Sequence, residues 1–301
     1  MRVEGSAYRR PGAKLLIEED GRTLGSISGG CLEADVREIG LQVLRGREPQ
    51  LRRYATGGDD REVWGLGLGC SGTVEVFVQP VEQGAAGLVK RICELLAEDR
   101  PFALSTVVKG AGAGSTLILS AEAAVDGSTA EVFTEVLTPP PHLILCGAGD
   151  DAIAVCRYAS DVGFRVTVVD HRRDVLSRER FPGAARLLEA RPEEAESLAI
   201  GPRSYGVVKT HSFAHDREWA RFLLSAGAPY VGLLGPRART REILRQIGAE
   251  GSDRVFGPVG LDLDAEGAEQ VALSIVAELL AVRSSREPSH LRRREAAVHA
   301  T

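Results

Sequence analysis

A short apolar strand, His142 to Cys146, runs straight into Gly147-Ala148-Gly149-Asp150-Asp151-Ala152 and then into residues at helical spacing through Val155 and Tyr158. No other stretch limits the fold as much. A strand that yields to a glycine turn and a helix, with a second strand at Arg165 to Val169 ending on Asp170, opens a doubly wound parallel sheet. Glycines stand at the first two positions of the dinucleotide fingerprint and Ala152 at the third. Asp170 falls about 20 residues on, where a ribose-binding acid belongs. Asp150 and Asp151 put negative charge where a pyrophosphate would sit, unless they turn aside as helix caps. Gly147, Gly149 and Asp170 are therefore candidate nucleotide-binding residues. The alternative is a Rossmann-type domain whose crevice is altered or empty.

Strand and helix keep alternating after this point. Tyr205 to Thr210 reads as a strand leading to His211-Ser212-Phe213-Ala214-His215-Asp216 and a helix through Leu224. Ligands in such sheets bind beyond the carboxyl ends of strands, which singles out His211. A HxxxH pair chelates a metal only when both rings share a helical face. Here the pair straddles a loop, with Asp216 expected as a cap. Pro229 to Leu233 is the next strand, followed by a helix start bearing Arg237, Arg239 and Arg241. That start is either an anion site or ordinary arginine-rich surface. Gly257 to Asp262 is a loop needing special backbone angles, and Ala265 to Val282 a long helix. Consecutive prolines, Pro139 to Pro141, form the best linker in the chain. The expected division is 1–138, a mixed α/β domain; 139–283, a Rossmann-like domain; and 284–301, a tail without fixed structure.

The front domain is organised around Gly25-Ser26-Ile27-Ser28-Gly29-Gly30-Cys31-Leu32-Glu33. Leu32, Val36, Ile39 and Val43 recur at helical spacing, and Gly46 closes the run. Gly29 and Gly30 carry no side chains, so backbone N–H groups there can converge on a small anion. A thiol in the first helical turn feels the positive end of the helix dipole, which favours the thiolate. The alternative is a tight turn with a small buried cysteine. A second glycine stretch, Gly65 to Gly72, holds Cys70 and opens onto a strand with Val74, Val76 and Val78 on one face. The two cysteines either face each other across one site or belong to unrelated turns. Arg9 and Arg10, on a turn ended by Pro11 and Gly12, either aim at an anion or form a solvated loop. Lys14 to Leu24 reads as a hairpin turning at Asp20-Gly21. Ala86 to Leu96 reads as an amphipathic helix with Cys93 in the core. Phe102 to Val108, Ser115 to Leu119 and Glu131 to Leu137 read as antiparallel strands.

The formal net charge of the 301 residues is -5, which gives no electrostatic case for nucleic acid. No apolar run approaches the ~20 residues of a membrane span, and no signal peptide is read. Five widely spaced cysteines, odd in number and without CxxC spacing, argue against a disulfide framework and for a reducing, cytoplasmic setting.

Taken in order, these stretches resemble the XdhC/CoxI family of xanthine dehydrogenase accessory factors. The residues that carry the resemblance are Gly5-Ser6 with Arg9-Arg10-Pro11-Gly12, the GSISGGCLE run, the GLGLGC loop ending at Cys70, and GAGDDA at Gly147 to Ala152. Thr210-His211, GLLGPR at Gly232 to Arg237 and PVGLD at Pro258 to Asp262 complete the set. The resemblance implies a maturation chaperone that binds the molybdenum cofactor and supports its sulfuration by a cysteine desulfurase. It further implies delivery to a molybdenum hydroxylase of the xanthine dehydrogenase or carbon monoxide dehydrogenase type. A homodimer is expected. Cys31 is the first choice for the reactive residue and transient molybdenum ligand, with Cys70 second. Arg9, Arg10, Ser28, Gly29, Gly30, Gly147, Gly149, Asp170, His211 and Arg237 are the candidate cofactor-binding residues. Two other readings stay open: an NAD(P)-dependent oxidoreductase with His211 as its acid or base, and a sulfurtransferase turning over a persulfide on Cys31. Members of the family usually carry an additional N-terminal helix and strand ahead of the Gly-Ser turn, most of which is missing here, so the expectation is either a misassigned start or a first sheet short of an edge. Ser71 stands where the family often has glycine, which narrows the conformations open to that loop.

Overall fold

The structure is a computed structural model that describes residues 2–5, 9–30, 32–55, 72–81, 85–122 and 131–293. Cys31 and Cys70, with the whole 56–71 stretch, lie outside the described residues. Two compact units are present, one built from Met1–Pro139 together with Leu291–Thr301 and the other from Pro140–His290.

In the front unit, β1 (Arg2–Gly5) is followed by the hairpin β2 (Leu15–Ile17) and β3 (Thr23–Gly25). Helix α1 (Glu33–Gly46), β4 (Gln50–Ala55) and β5 (Gly72–Val78) come next. Helix α2 (Ala86–Ala97) then leads to β6 (Phe102–Val107), β7 (Thr116–Ser120) and β8 (Val132–Leu137). The strands form antiparallel sheets in the orders β1-β5-β4 and β7-β6-β8, beside the β2-β3 pair. The 3.6-residue period of α1 buries Val36, Ile39 and Val43, and Val36 clusters with Ile27, Leu32, Val74 and Val76. Gly40 lets the hairpin lean on α1, since a Cβ there would lie 2.4 Å from the Ile17 side chain. The helix ends at Gly46, and the cap that follows is Arg47, which takes the left-handed conformation (φ 58°) and donates its N–H to the Val43 carbonyl. Cys93 is exposed rather than in the core, because α2 packs through Ile92, Leu95 and Leu96 instead.

In the second unit, β9 (His142–Cys146), α3 (Asp150–Asp161) and β10 (Arg165–Asp170) form the opening βαβ. Strand β11 (Arg186–Glu189), β12 (Ser204–Val208), α4 (Phe213–Ser225) and β13 (Tyr230–Leu233) follow. Helix α5 (Arg237–Ile247), β14 (Val255–Phe256) and α6 (Gly267–Arg283) complete the unit. All six strands are parallel, in the order β11-β10-β9-β12-β13-β14. Counted within the unit this is 3-2-1-4-5-6, the Rossmann order, with its switch point between β9 and β12. Alternation along β9 explains the layers. Leu143 and Leu145 face a cluster shared with α3 and α6, while Ile144 and Cys146 face one shared with α4 and α5. After α6 the chain is still hydrogen-bonded: the amides of Ser284 and Arg286 donate to the carbonyls of Leu280 and Ala281. Residues 291–293 form a 3-10 turn, and residues 294–301 lie outside the described residues.

Among the described residues, no helix is long and apolar enough to cross a membrane.

Candidate functional site

Chemistry-bearing residues gather at one place in each unit. In the front unit it is the loop between β3 and α1. Ser26 to Gly30 curls around a single side chain, Glu33, at the first position of α1. Its Oε1 accepts from the amides of Ile27 (3.0 Å), Ser28 (2.9 Å) and Gly29 (3.2 Å) and from Ser26 Oγ (2.9 Å). Its Oε2 accepts from the Gly30 amide at 2.9 Å and from Ser28 Oγ. Gly29 (φ 83°) and Gly30 (φ 123°) supply the left-handed backbone that turns these donors inward. Partial burial raises the Glu33 pKa, but the hydrogen bonds from Ser28, Ile27 and Ser26 outweigh it and hold the carboxyl well below the usual carboxylate range.

From sequence, the backbone around Ser28, Gly29 and Gly30 is expected to converge on a small anion. Their amides do converge on an anion, but that anion is the chain's own carboxylate. Cys31 lies outside the described residues; of its neighbours, Gly30 is exposed and Leu32 buried. Arg9 and Arg10 are exposed on the turn that leads to Gly12. From Gly12 onward the chain lines a cavity of about 640 Å³. Ile17, Ile27, Val36, Val76 and Phe133 give it apolar walls, and Glu135, paired with Lys14 at 2.6 Å, gives it a polar edge. The cavity meets the glycine loop at Ile27; Ser28, Gly29 and Gly30 do not line it.

In the second unit the place is the carboxyl edge of the parallel sheet, at the switch point. Gly147 (φ 110°) lies against the end of β12, where a Cβ would come within 2.5 Å of the Lys209 carbonyl oxygen. The first fingerprint glycine is thus required by strand-end packing. Asp170 is buried and spends its carboxylate locally. Oδ2 accepts from the Ala148 amide (2.8 Å) and Arg172 Nη2 (3.0 Å); Oδ1 accepts from the Arg172 amide (2.9 Å) and Nε (3.0 Å). Burial raises its pKa, and the bonds from Arg172 and Ala148 override that and bring it down to about 2.

Asp150 and Asp151 do not cap α3, whose N-cap is Gly149. Asp150 pairs with Arg180 at 3.0 Å, and Arg180 also donates to the Ala148 carbonyl at 3.0 Å. Asp151 pairs with Lys209, which is buried, and with His211 Nε2 at 3.1 Å. Burial lowers the Lys209 pKa, and burial raises that of Asp151 but is outweighed by the bonds from Lys209 and His211. His211 adopts a left-handed backbone (φ 60°) that carries its exposed ring to Asp151. Asp216 is not the cap of α4; Ser212 is, its hydroxyl accepting from the His215 amide. Buried Asp216 instead accepts from the Thr210 amide and hydroxyl and from Arg239 Nη2 at 2.6 Å. His215 stacks edge-on against His171, with ring centroids 4.8 Å apart, so the HxxxH rings face different partners. Among the described residues, no group of three His, Cys, Asp or Glu could hold a metal ion. Arg237 is exposed at the start of α5.

An NAD(P) guest needs its pyrophosphate over the start of α3 and its ribose on Asp170. The residues present do not fit it. Two carboxylates stand in the first turn of α3, and Asp170 is already committed to Ala148 and Arg172. Sequence reasoning found Gly147, Gly149, Asp170 and His211, which the structure gathers at this edge. It missed the roles of Lys209, Asp216 and Arg239, whose partners lie 58, 6 and 23 residues away. It also missed Glu33, whose signal was a carboxylate one turn after a run of small residues rich in amide donors.

These features define a two-unit α/β protein: a front unit with a self-capped glycine loop, and a Rossmann-type unit whose crevice is bridged by its own ion pairs. Residues 143–279 match the XdhC Rossmann domain, and residues 1–55 match the XdhC and CoxI family. The chain is 32% identical over 311 residues to a probable xanthine dehydrogenase component of Bacillus subtilis, covering 94% of this chain and 91% of that one. It is 23% identical to the molybdenum cofactor insertion chaperone PaoD of Escherichia coli, covering 95% and 82%. A crystal structure of a xanthine dehydrogenase from Bacillus halodurans superposes with a TM-score of 0.82 at 31% identity, covering 97% of this chain and 93% of that one. The chain belongs to the XdhC/CoxI family.

Proposed function

We propose that this chain is a maturation factor that holds the molybdenum cofactor and hands it to a molybdenum hydroxylase of the xanthine dehydrogenase or carbon monoxide dehydrogenase type. The observation that carries the reading is the likeness, along nearly the whole chain, to relatives named for xanthine dehydrogenase and for molybdenum cofactor insertion. Two features of the front unit support it. Its cavity, about 640 Å³, lies in the range of small-molecule sites and is apolar with a charged edge. The glycine loop that borders it leads directly to Cys31, and a soft sulfur suits molybdenum.

In this reading Cys31 is the transient metal ligand and Cys70 the second candidate. Arg9 and Arg10 take the cofactor's phosphate in this reading, since guanidinium binds phosphate bidentately. A cysteine desulfurase supplies sulfur for the cofactor, and the factor works in the cytoplasm as a homodimer. The test is anoxic incubation with isolated cofactor, then gel filtration with molybdenum and pterin assayed in the protein fraction. Wild type is expected to retain both and Cys31→Ala to lose most of the molybdenum. Equal retention by the two proteins removes Cys31 from the mechanism, and retention by neither refutes cofactor binding.

A further inference from the structure

The cavity of the front unit is walled by carbon and edged unevenly by charge. Four carboxylates line it, Glu18, Glu19, Glu75 and Glu135, against two cations, Arg2 and Lys14. Both cations are paired within the lining, Arg2 with Glu75 at 3.8 Å and Lys14 with Glu135 at 2.6 Å. A phosphate entering this lining meets carboxylates and cations that are already paired, and burying it there is costly. The lining suits a flat, neutral guest whose polar edge donates hydrogen bonds.

Glu135 is built to receive such an edge. Its side chain is only 17% exposed. Lys14 Nζ donates to Glu135 Oε2 at 2.6 Å and to the Gly12 carbonyl at 3.1 Å, which fixes the carboxylate beside the turn. Gly12, at φ 87°, leaves the room for it, since a Cβ there would lie 3.0 Å from the same Oε2. Among the described residues nothing donates to Oε1, and Oε2 keeps a second lone pair. Phe133 stands two residues earlier on β8, so the two side chains share one face of the strand, and both line the cavity.

We propose that this cavity takes the pterin ring of the cofactor, with the pyrimidine edge on Glu135, and leaves the phosphate outside. The inference deepens the cofactor reading and rests on it. A pterin carries an exocyclic amino group beside a ring N–H, two parallel donors that match the two oxygens of one carboxylate as a guanidinium does. The fused ring has apolar faces, for which Phe133 offers an aromatic surface. The phosphate sits at the opposite end of the cofactor and is kept out of the carboxylate-rich lining.

The test uses the full chain and 6-hydroxymethylpterin, followed by its own fluorescence. The comparison compound is 6-hydroxymethyllumazine, in which a carbonyl replaces the amino group and turns an acceptor toward the carboxylate. Wild type is expected to prefer the pterin by about tenfold or more, because a site built for an N–H donor rejects the analogue that lacks it. Glu135→Gln is expected to abolish the preference, and Glu75→Gln, which removes a cavity carboxylate on β5, to keep it. A smaller preference in wild type overturns the proposal, and that outcome depends on no variant folding. So does a preference that survives in folded Glu135→Gln. The probe carries neither metal nor phosphate, so the two readings fail separately. Molybdenum retained without a pterin preference refutes this inference alone, and a pterin preference without cofactor retention supports it while refuting the maturation role.

Discussion

The Asp170→Asn substitution keeps the shape of the side chain and removes its charge. In wild type the carboxylate holds the Ala148 amide, at 2.8 Å, and three donors of Arg172. Its pKa falls from 3.8 to about 2, and a drop of nearly two units corresponds to about 2 kcal/mol of stability at neutral pH. The Asn amide group must also turn N–H toward donors that wild type satisfies, so the expected loss at pH 7 is about 2–3 kcal/mol. The sign of the pH dependence follows. A carboxyl with a lowered folded pKa contributes fully above its unfolded value and loses that contribution as pH falls through the folded one. The gap between wild type and variant should therefore be constant above about pH 5 and close between about pH 4 and pH 2. Urea unfolding at pH 7 and pH 3 measures it, followed by the fluorescence of buried Trp219 in a chain whose Trp64 is replaced by Phe. A loss under about 0.5 kcal/mol, or one equal at both pH values, refutes the reasoning. Intact stability with lost binding of a dinucleotide would return Asp170 to the role of a ribose ligand.

Gly147→Ala places a Cβ 2.5 Å from the Lys209 carbonyl at φ 110°, and a loss of about 3 kcal/mol or more is expected as a lowered Tm. Lys209→Met strips Asp151 of its buried partner and should cost about 3 kcal/mol, with the Asp151→Asn/Lys209→Met pair costing clearly less than the two singles together; a double-mutant cycle in urea reads this. The folded Glu33 carboxyl titrates below its ordinary 4.5, so its contribution holds above that pH and fades on acidification; Glu33→Gln should flatten this acid limb of the front unit's stability. Native Cys93 should react with a thiol reagent, whereas Cys146, fully buried with its pKa pushed well up, and Cys156, pushed up to about 11 by burial, should react only on unfolding.

The Rossmann half was legible because its signals are local. The strand, the glycine turn and the acid after the second strand sit within some thirty residues, and periodicity separates helix from strand. The edge strands β11 and β14 were not legible, being short and half exposed, and β4 was obscured by Arg52 and Arg53. The site was legible as a place and not as an arrangement. Gly147, Asp170 and His211 do meet at one edge, but the groups that occupy them come from elsewhere: Lys209 reaches Asp151 across 58 residues, and Arg180 reaches Ala148 across 32. No spacing rule reports such pairs. Glu33 was within reach, because a carboxylate three residues past Gly-Gly, at the start of a helix, is the nearest anion to the amides that the glycines expose.

The proposed passage of a molybdenum cofactor from this chain to an enzyme is read by a transfer assay. The factor, loaded under anoxia, is mixed with cofactor-free molybdenum hydroxylase from the same host, and hydroxylase activity is followed against time. The account predicts activation that is faster than with free cofactor at equal concentration and that carries molybdenum into the hydroxylase fraction. Activation no faster than with free cofactor, with the metal still on the factor, would contradict it.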